Sequence, residues 1–207
     1  MKKTIVGRRL LTIVLAVLLL AGLFYIGCNR ESRKAVNESV AADGGVAVSI
    51  DERADAASLM KKGLAFERER QYEAAARCYR QAAEQGLSEA QNNLGVLYKD
   101  GQGVGQDYGA AAHWFRLAAE QDNTLAQLNL GWLYHAGKGV SQHADSARYW
   151  YLRAATKEHT SAQLNLGILC LQQQDTAVGI YWLRKAVGQG SEGARRVLRA
   201  IGDTLAK

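Results

Sequence analysis

Asn93, Asn129 and Asn165 stand 36 residues apart, each directly before a Leu-Gly pair. A carboxamide carries both a donor and an acceptor, so a row of them at a fixed interval can serve to bind a partner. The same row fits a second use, in which each amide belongs to a repeating scaffold and bonds its own neighbours. Val96, Trp132 and Ile168 lie three residues beyond, on the same side of a helix. An apolar stripe beside an amide row suits an interaction site. For Trp132, packing between repeats is the stronger reading.

No catalytic constellation accompanies these residues. Ser58-Leu-Met-Lys61 has the serine–lysine spacing of penicillin-interacting enzymes, where the lysine helps activate the serine. The Ser-Asp-Asn and Lys-Thr-Gly elements that go with it are missing, and a two-residue pattern recurs by chance. Gly101-Gln-Gly103-Val-Gly105 follows a helical stretch rather than a strand, and Gln106 stands where a phosphate loop needs its third glycine. His113, His135, His143 and His159 share neither a helical face nor a ligand spacing, so no metal is expected, and no other cofactor. Cys78 falls at the repeat position of Trp114 and Cys170 at that of Tyr134, so both read as small core hydrophobes.

The elements that must position the asparagines are legible from the same period. Glu89-Ala-Gln-Asn-Asn-Leu-Gly95-Val-Leu-Tyr98, Leu125-Ala-Gln-Leu-Asn-Leu-Gly131-Trp-Leu-Tyr134 and Ser161-Ala-Gln-Leu-Asn-Leu-Gly167-Ile-Leu-Cys170 are three copies of one helix. Ala90, Leu94, Leu97 and Tyr98 share a face, as do Ala126, Leu130, Leu133 and Tyr134. Ser88 with Gln91, Thr124 with Gln127 and Thr160 with Gln163 have the spacing of a capping box at the start of each copy. Gly101-x-Gly103-Val and Gly137-x-Gly139-Val end the first two copies. A second, alanine-rich helix follows each, with Trp114-Phe115 and Trp150-Tyr151 filling the gap to the next pair. Arg116 and Arg153 on these second helices are expected to face outward. A fixed period of this length marks a stacked array that buries a core only between neighbours.

The Ala-x-x-x-Leu-Gly-x-x-Tyr helix, the Gly-x-Gly-Val loop, Asp107 and the Ala-x-x-Trp-[Phe/Tyr]-x-x-Ala-Ala helix together resemble the Sel-1-like repeat, a relative of the tetratricopeptide repeat. The resemblance covers about residues 54 to 200, closely in units 88–123 and 124–159 and in part outside them. From the first-helix glycine to the second-helix alanine there are 23 residues in the central units, Gly95 to Ala118 and Gly131 to Ala154. The outer units have 19, Gly63 to Ala82 and Gly167 to Ala186, so they lack the Gly-x-Gly-Val insertion. His143 departs from the aspartate of the pattern, which leaves the bracing of its loop open. The resemblance implies an all-α, right-handed α-solenoid of about four helix pairs. Its first helices line a concave groove for a peptide or protein, and no catalysis is implied. Ser191 to Ala206 reads as a C-terminal capping helix with Arg195, Arg196 and Arg199 on its outer face.

Composition agrees with a helical array. There is no proline in 207 residues, where average usage would give about ten. The formal charge of +6 lies entirely in residues 1 to 34, and the remainder nets to zero. That leaves no basic excess for nucleic acid, which is not an expected partner. Leu10 to Gly27 is an uncharged run of 18 residues behind Lys2, Lys3, Arg8 and Arg9, long enough to reach across a thin hydrocarbon core. The basic flank directs the rest of the chain outward. An uncleaved anchor and a lipoprotein signal both stay open. In the second, Tyr25-Ile26-Gly27-Cys28 resembles a lipidation box, with Tyr25 departing from its aliphatic first position and Cys28 as the candidate lipidation residue.

The expected organisation is a membrane segment at 1–28, a flexible linker at 29–50 and a repeat domain at 51–207. The expected function is a membrane-tethered, non-enzymatic module on the periplasmic side of a bacterial membrane. It would bind a peptide or partner protein through Asn93, Asn129, Asn165, Val96, Trp132 and Ile168. An envelope enzyme or peptidoglycan-binding factor using the same groove, and a homo-oligomeric assembly scaffold, are the alternatives.

Overall fold

In the computed structural model the described residues are 54–202, all within one compact unit, Ile50–Lys207. The Leu10–Gly27 run, Cys28 and the linker lie outside the described residues. Within them, no helix is long and apolar enough to cross a membrane. The described residues form nine helices and no strand: α1 (Ala56–Arg68), α2 (Tyr72–Glu84), α3 (Ser88–Asp100), α4 (Tyr108–Glu120), α5 (Thr124–Ala136), α6 (Ala144–Thr156), α7 (Thr160–Gln172), α8 (Thr176–Gly188) and α9 (Glu192–Ala200). Each packs chiefly on its neighbours in sequence, which makes the chain an α-solenoid of four helix pairs closed by α9.

The pairs are held by one contact used four times. The glycine of each first helix lies flat against a large side chain of its second helix. A methyl added at Gly63 would come within 2.5 Å of the Tyr79 ring, at Gly95 within 2.7 Å of Phe115, and at Gly131 within 2.6 Å of Tyr151. At Gly167 it would meet Leu183 at 2.6 Å. Each such side chain is fully enclosed, a burial that contributes about 1.5–3 kcal/mol apiece. This corrects the expectation for Trp150, which is half-buried at the edge of the core while Tyr151, one residue on, fills it. The buried alanines 75, 82, 111, 118, 147 and 154 let neighbouring helices approach closely.

The turns between pairs are equally regular. The N–H of Leu87 donates to the Ala82 carbonyl at 3.2 Å, Asn123 to Ala118 at 3.1 Å, His159 to Ala154 at 3.3 Å and Ser191 to Ala186 at 2.9 Å. These six-to-one bonds turn the chain through a left-handed residue, which is Gly86 and Gly190 in the outer turns but Asp122 and Glu158 in the inner ones.

The recurring Ser/Thr–Gln pairs are not capping boxes. The caps are one residue earlier, at Leu87, Asn123 and His159, and Asn123 alone of the three bonds through its side chain, to the Ala126 N–H at 3.0 Å. The glutamines instead point back into the core. Gln91 donates to the Ala83 carbonyl at 3.2 Å, Gln127 to Ala119 at 3.2 Å and Gln163 to Ala155 at 3.3 Å. Each ties a first helix to the end of the second helix before it. In α1, the first helix of the described residues, the matching residue is Leu59.

His143 does brace its loop. Its Nδ1 accepts from the Ser146 N–H at 3.1 Å, the N-cap role that Asp107 performs toward Gly109 and Ala110 at 2.8 and 3.0 Å. The array also ends by identifiable means. Lys62 is exposed where the other first helices bury Leu94, Leu130 and Leu166. Arg199 occupies the place of the packing glycine, so α9 lacks the flat seat that Gly63, Gly95, Gly131 and Gly167 offer. The closing helix is shorter than expected, stopping at Ala200 before Gly202 with φ 78°.

Asp122 concentrates the electrostatics of the central turn. Its Oδ1 accepts from Gln127 at 3.0 Å, Arg153 at 3.0 Å and Lys157 at 2.6 Å. The Lys157 bond, then the Gln127 bond, hold its carboxyl down to about 2. A carboxyl depressed on folding stabilises above its unfolded value of about 3.9, and that contribution is lost as pH falls through about 2. Thermal melts of the wild type and Asp122→Asn should therefore differ at pH 5 and converge near pH 2. A constant gap between them would show that the charge of Asp122 does not act on stability.

Candidate functional site

The first helices α3, α5 and α7 stand side by side, and side chains bridge them directly. Asn129 donates from Nδ2 to Oδ1 of Asn92 at 3.2 Å, and His135 Nε2 pairs with Gln172 Oε1 at 3.0 Å. This is the face on which the expected site residues fall, and all six are half-buried.

The three asparagines are not equivalent. Asn93 accepts from Asn92 Nδ2 at 3.3 Å and lies beside the hydroxyl of Tyr79, which donates to Glu67 Oε2 at 2.5 Å. Burial, and then the Glu67 bond, push that phenol above its ordinary range, while Asn93 acts in the opposite direction. For Asn129 the residue equivalent to Tyr79 is Phe115, which has no hydroxyl, and Asn129 bonds Asn92. The result is two polar links, Glu67 with Tyr79 and Asn93 through Asn92 to Asn129, that lie next to each other. Asn165 faces the Tyr151 hydroxyl without closing a hydrogen bond, and that hydroxyl is enclosed and unpartnered. Burial is what pushes the Tyr151 phenol up. Two of the three amides thus bond their neighbours, and Asn165 is the one left open.

The apolar members of the face divide in a similar way. Trp132 is wedged between units, packed on the cluster of Phe115 and Leu130 and on that of Tyr151 and Leu166. Its ring stands 6.4 Å from that of Tyr108, and Lys138 from the following loop lies over both, at 5.4 and 4.9 Å. Val96 packs on the Phe115 cluster, and Ile168 sits half-exposed on α7. Leu125, one helical turn before Asn129, is the most open large apolar residue of these helices at 52% exposure.

The second helices are more engaged than expected. Arg116 donates to the Tyr134 hydroxyl at 2.9 Å, as Arg80 does to Tyr98 at 3.0 Å, so these arginines brace one pair against the next. Arg153 is paired with Asp122 at 3.0 Å and lies over the Trp150 ring at 5.5 Å. Arg116 is exposed as expected and Arg153 is half-buried, and both hold a partner there.

The remaining chemistry is structural. Cys78 and Cys170 are fully enclosed, and burial is the leading effect in pushing both thiols up, away from the reactive thiolate. Ser58 gives its hydroxyl to Asp55 Oδ2 at 2.8 Å, within the cap of α1. Among the described residues no group of three or more His, Cys, Asp or Glu is placed to hold a metal.

The family model described as Sel1 repeat matches the chain in four tandem copies, over residues 56–87, 88–123, 124–159 and 160–191. Among solved structures the chain is similar to c5321, a protective antigen present in uropathogenic Escherichia coli strains and displaying an SLR fold. The identity is 32% and the TM-score 0.66, over 68% of this chain and 32% of that one. It is similar also to a Sel1 repeat protein from Oxalobacter formigenes, at 28% identity and TM-score 0.64, over 70% and 62% of the two chains. The chain therefore spans about a third of the first relative and just under two thirds of the second. MamA shares the fold at 16% identity and TM-score 0.52, over 72% and 83%. No curated protein matches the sequence.

Proposed function

The chain belongs to the Sel1 repeat family, and from that premise we propose that it is a non-enzymatic binding array. Its first helices hold a segment of a partner protein in their groove, and its N-terminal apolar run tethers it to a bacterial membrane with the repeats on the periplasmic side. Repeat proteins of this fold generally serve protein–protein interaction, because stacked pairs leave one long continuous face. The observation that carries the reading is the row of half-buried amides beside an apolar stripe on α3, α5 and α7. End-to-end stacking into a scaffold is opposed by like charge, with Lys61 and Lys62 at one end and Arg196 and Arg199 at the other.

A photo-crosslinking residue at Leu125 tests the face, with one at Tyr181 on α8 as control. The two positions are equally open, at 52% and 53% exposure, so access does not distinguish them. In membranes of cells expressing the full chain, Leu125 should give a discrete adduct with a second protein and Tyr181 should not. Adducts from Tyr181 alone would place binding on the second helices.

A further inference from the structure

The Tyr151 hydroxyl is enclosed and has no hydrogen-bond partner. Leaving such a group unpaired carries the full cost of its lost hydration, so a native fold that keeps one calls for an explanation. Packing does not supply it. Phe115 fills the same place one unit earlier with no oxygen, against the same kind of glycine. Tyr79, in the first unit, spends its hydroxyl on Glu67, four residues beyond the packing glycine. The matching residue in the third unit is His135, whose ring lies edge-on to Tyr151 with centroids 6.2 Å apart. Its Nε2 is turned to Gln172 instead.

Asn165 faces the hydroxyl from the next first helix and is half-exposed on its other side. A carboxamide that accepts from the hydroxyl through Oδ1 points Nδ2 outward as a fixed donor. The helices around this point also differ from the rest of the array. α5 and α7 contain no Asp, Glu, Lys or Arg, whereas α1 and α3 carry Lys61, Lys62, Glu67 and Arg68, and Glu89, Lys99 and Asp100. With Lys138 of the following loop lying over the Tyr108 and Trp132 rings, the helix wall itself is uncharged. Such a wall favours an uncharged occupant, because a charged one would lose hydration without gaining a counter-charge from α5 or α7.

Resting on the groove reading above, we propose that the α5–α7 junction is where the array recognises its partner. The occupant is an uncharged, apolar stretch of polypeptide. Tyr151 is a positioning residue that sets Asn165 to donate to a backbone carbonyl of that stretch.

The test uses the isotope-labelled full chain in detergent, the blocked tripeptide acetyl-Leu-Gly-Leu-amide as probe, and the side-chain amide signals of the asparagines as readout. The Asn165 signal should shift saturably, and acetyl-Lys-Gly-Lys-amide and acetyl-Asp-Gly-Asp-amide should shift it far less at equal concentration. Tyr151→Phe, a shape the second unit already accommodates, should weaken tripeptide binding roughly three- to tenfold, as loss of one neutral hydrogen bond implies. Its melting temperature should stay level or rise, because an unpaired polar group has been removed. A lower melting temperature with unchanged affinity would make the hydroxyl structural and overturn the proposal. A shift confined to Asn93 or Asn129 would overturn the position and leave the groove reading standing. Equal shifts by the charged peptides would overturn the assigned partner chemistry. No shift at any asparagine would overturn the recognition site, and the Leu125 crosslink would then decide the groove separately.

Discussion

Tyr151→Ala is expected to lower stability by about 3–5 kcal/mol, the cost of removing a fully enclosed aromatic and leaving a cavity. Tyr151 is wholly inaccessible, and its ring covers Gly131 so closely that no other side chain can move in to fill the gap without the two helices closing up. The neighbouring change Trp150→Ala should cost less, about 1–2 kcal/mol, because that ring is half-buried and keeps one side in solvent beside Arg153. Urea unfolding of both variants, followed by far-ultraviolet circular dichroism, measures the difference. A larger loss for Trp150→Ala than for Tyr151→Ala would mean that the tryptophan row, not the tyrosine row, holds the pairs together.

The sequence offers Trp150 and Tyr151 together as fillers of the gap, and what separates them is geometric. Two aromatic residues in succession on a helix point about 100° apart, so one alone can face the glycine. The pattern Trp-Tyr does not say which one does. Spacing settles it once the pairs are seen together. The enclosed residue lies 20 positions after the glycine in both central units and 16 in both outer ones, the same four-residue difference made by the loop insertion. The repeat itself, the helix pairs and the missing insertion in the outer units are all legible, because they rest on period and on glycine placement. The glutamines are visible but deceptive. Ser/Thr-x-x-Gln has the spacing of a cap, yet Leu59 stands at the matching place in α1, the one first helix with no helix pair before it among the described residues. A cap would be wanted there as well, whereas a tie to a preceding carbonyl has nothing to reach. The unequal asparagines are hidden for a different reason. The residues at the equivalent place before them, Tyr79, Phe115 and Tyr151, belong to the preceding second helix, and the one without a hydroxyl goes with the asparagine that bonds Asn92. The local sequence around Asn129 carries no trace of that.

Gly139→Ala should be among the most damaging single-methyl changes in the array, costing about 2–4 kcal/mol. Two effects combine. Gly139 has φ 68°, where an alanine is strained by the left-handed backbone. A methyl there would also come within 2.2 Å of the Tyr108 carbonyl carbon and oxygen and 2.6 Å of the Gly109 nitrogen. These are main-chain atoms at the start of α4, so no rotamer change relieves the contact and the loop has to lift away from the preceding pair. Lifting it would carry Lys138 off the Tyr108 and Trp132 rings, so the damage should extend to the groove face. Gly103 makes the same approach to Tyr72 at 2.2 Å, and alanine there should behave alike. Gly105 is the control, since a methyl on it meets nothing within 4 Å and its φ is not positive. Gly105→Ala should be neutral within about 0.5 kcal/mol, or mildly stabilising through reduced freedom of the unfolded chain. If Gly139→Ala and Gly105→Ala unfold at the same denaturant concentration, the Gly-x-Gly loops do not fasten one pair to the next, and inter-pair stability rests on the helices alone.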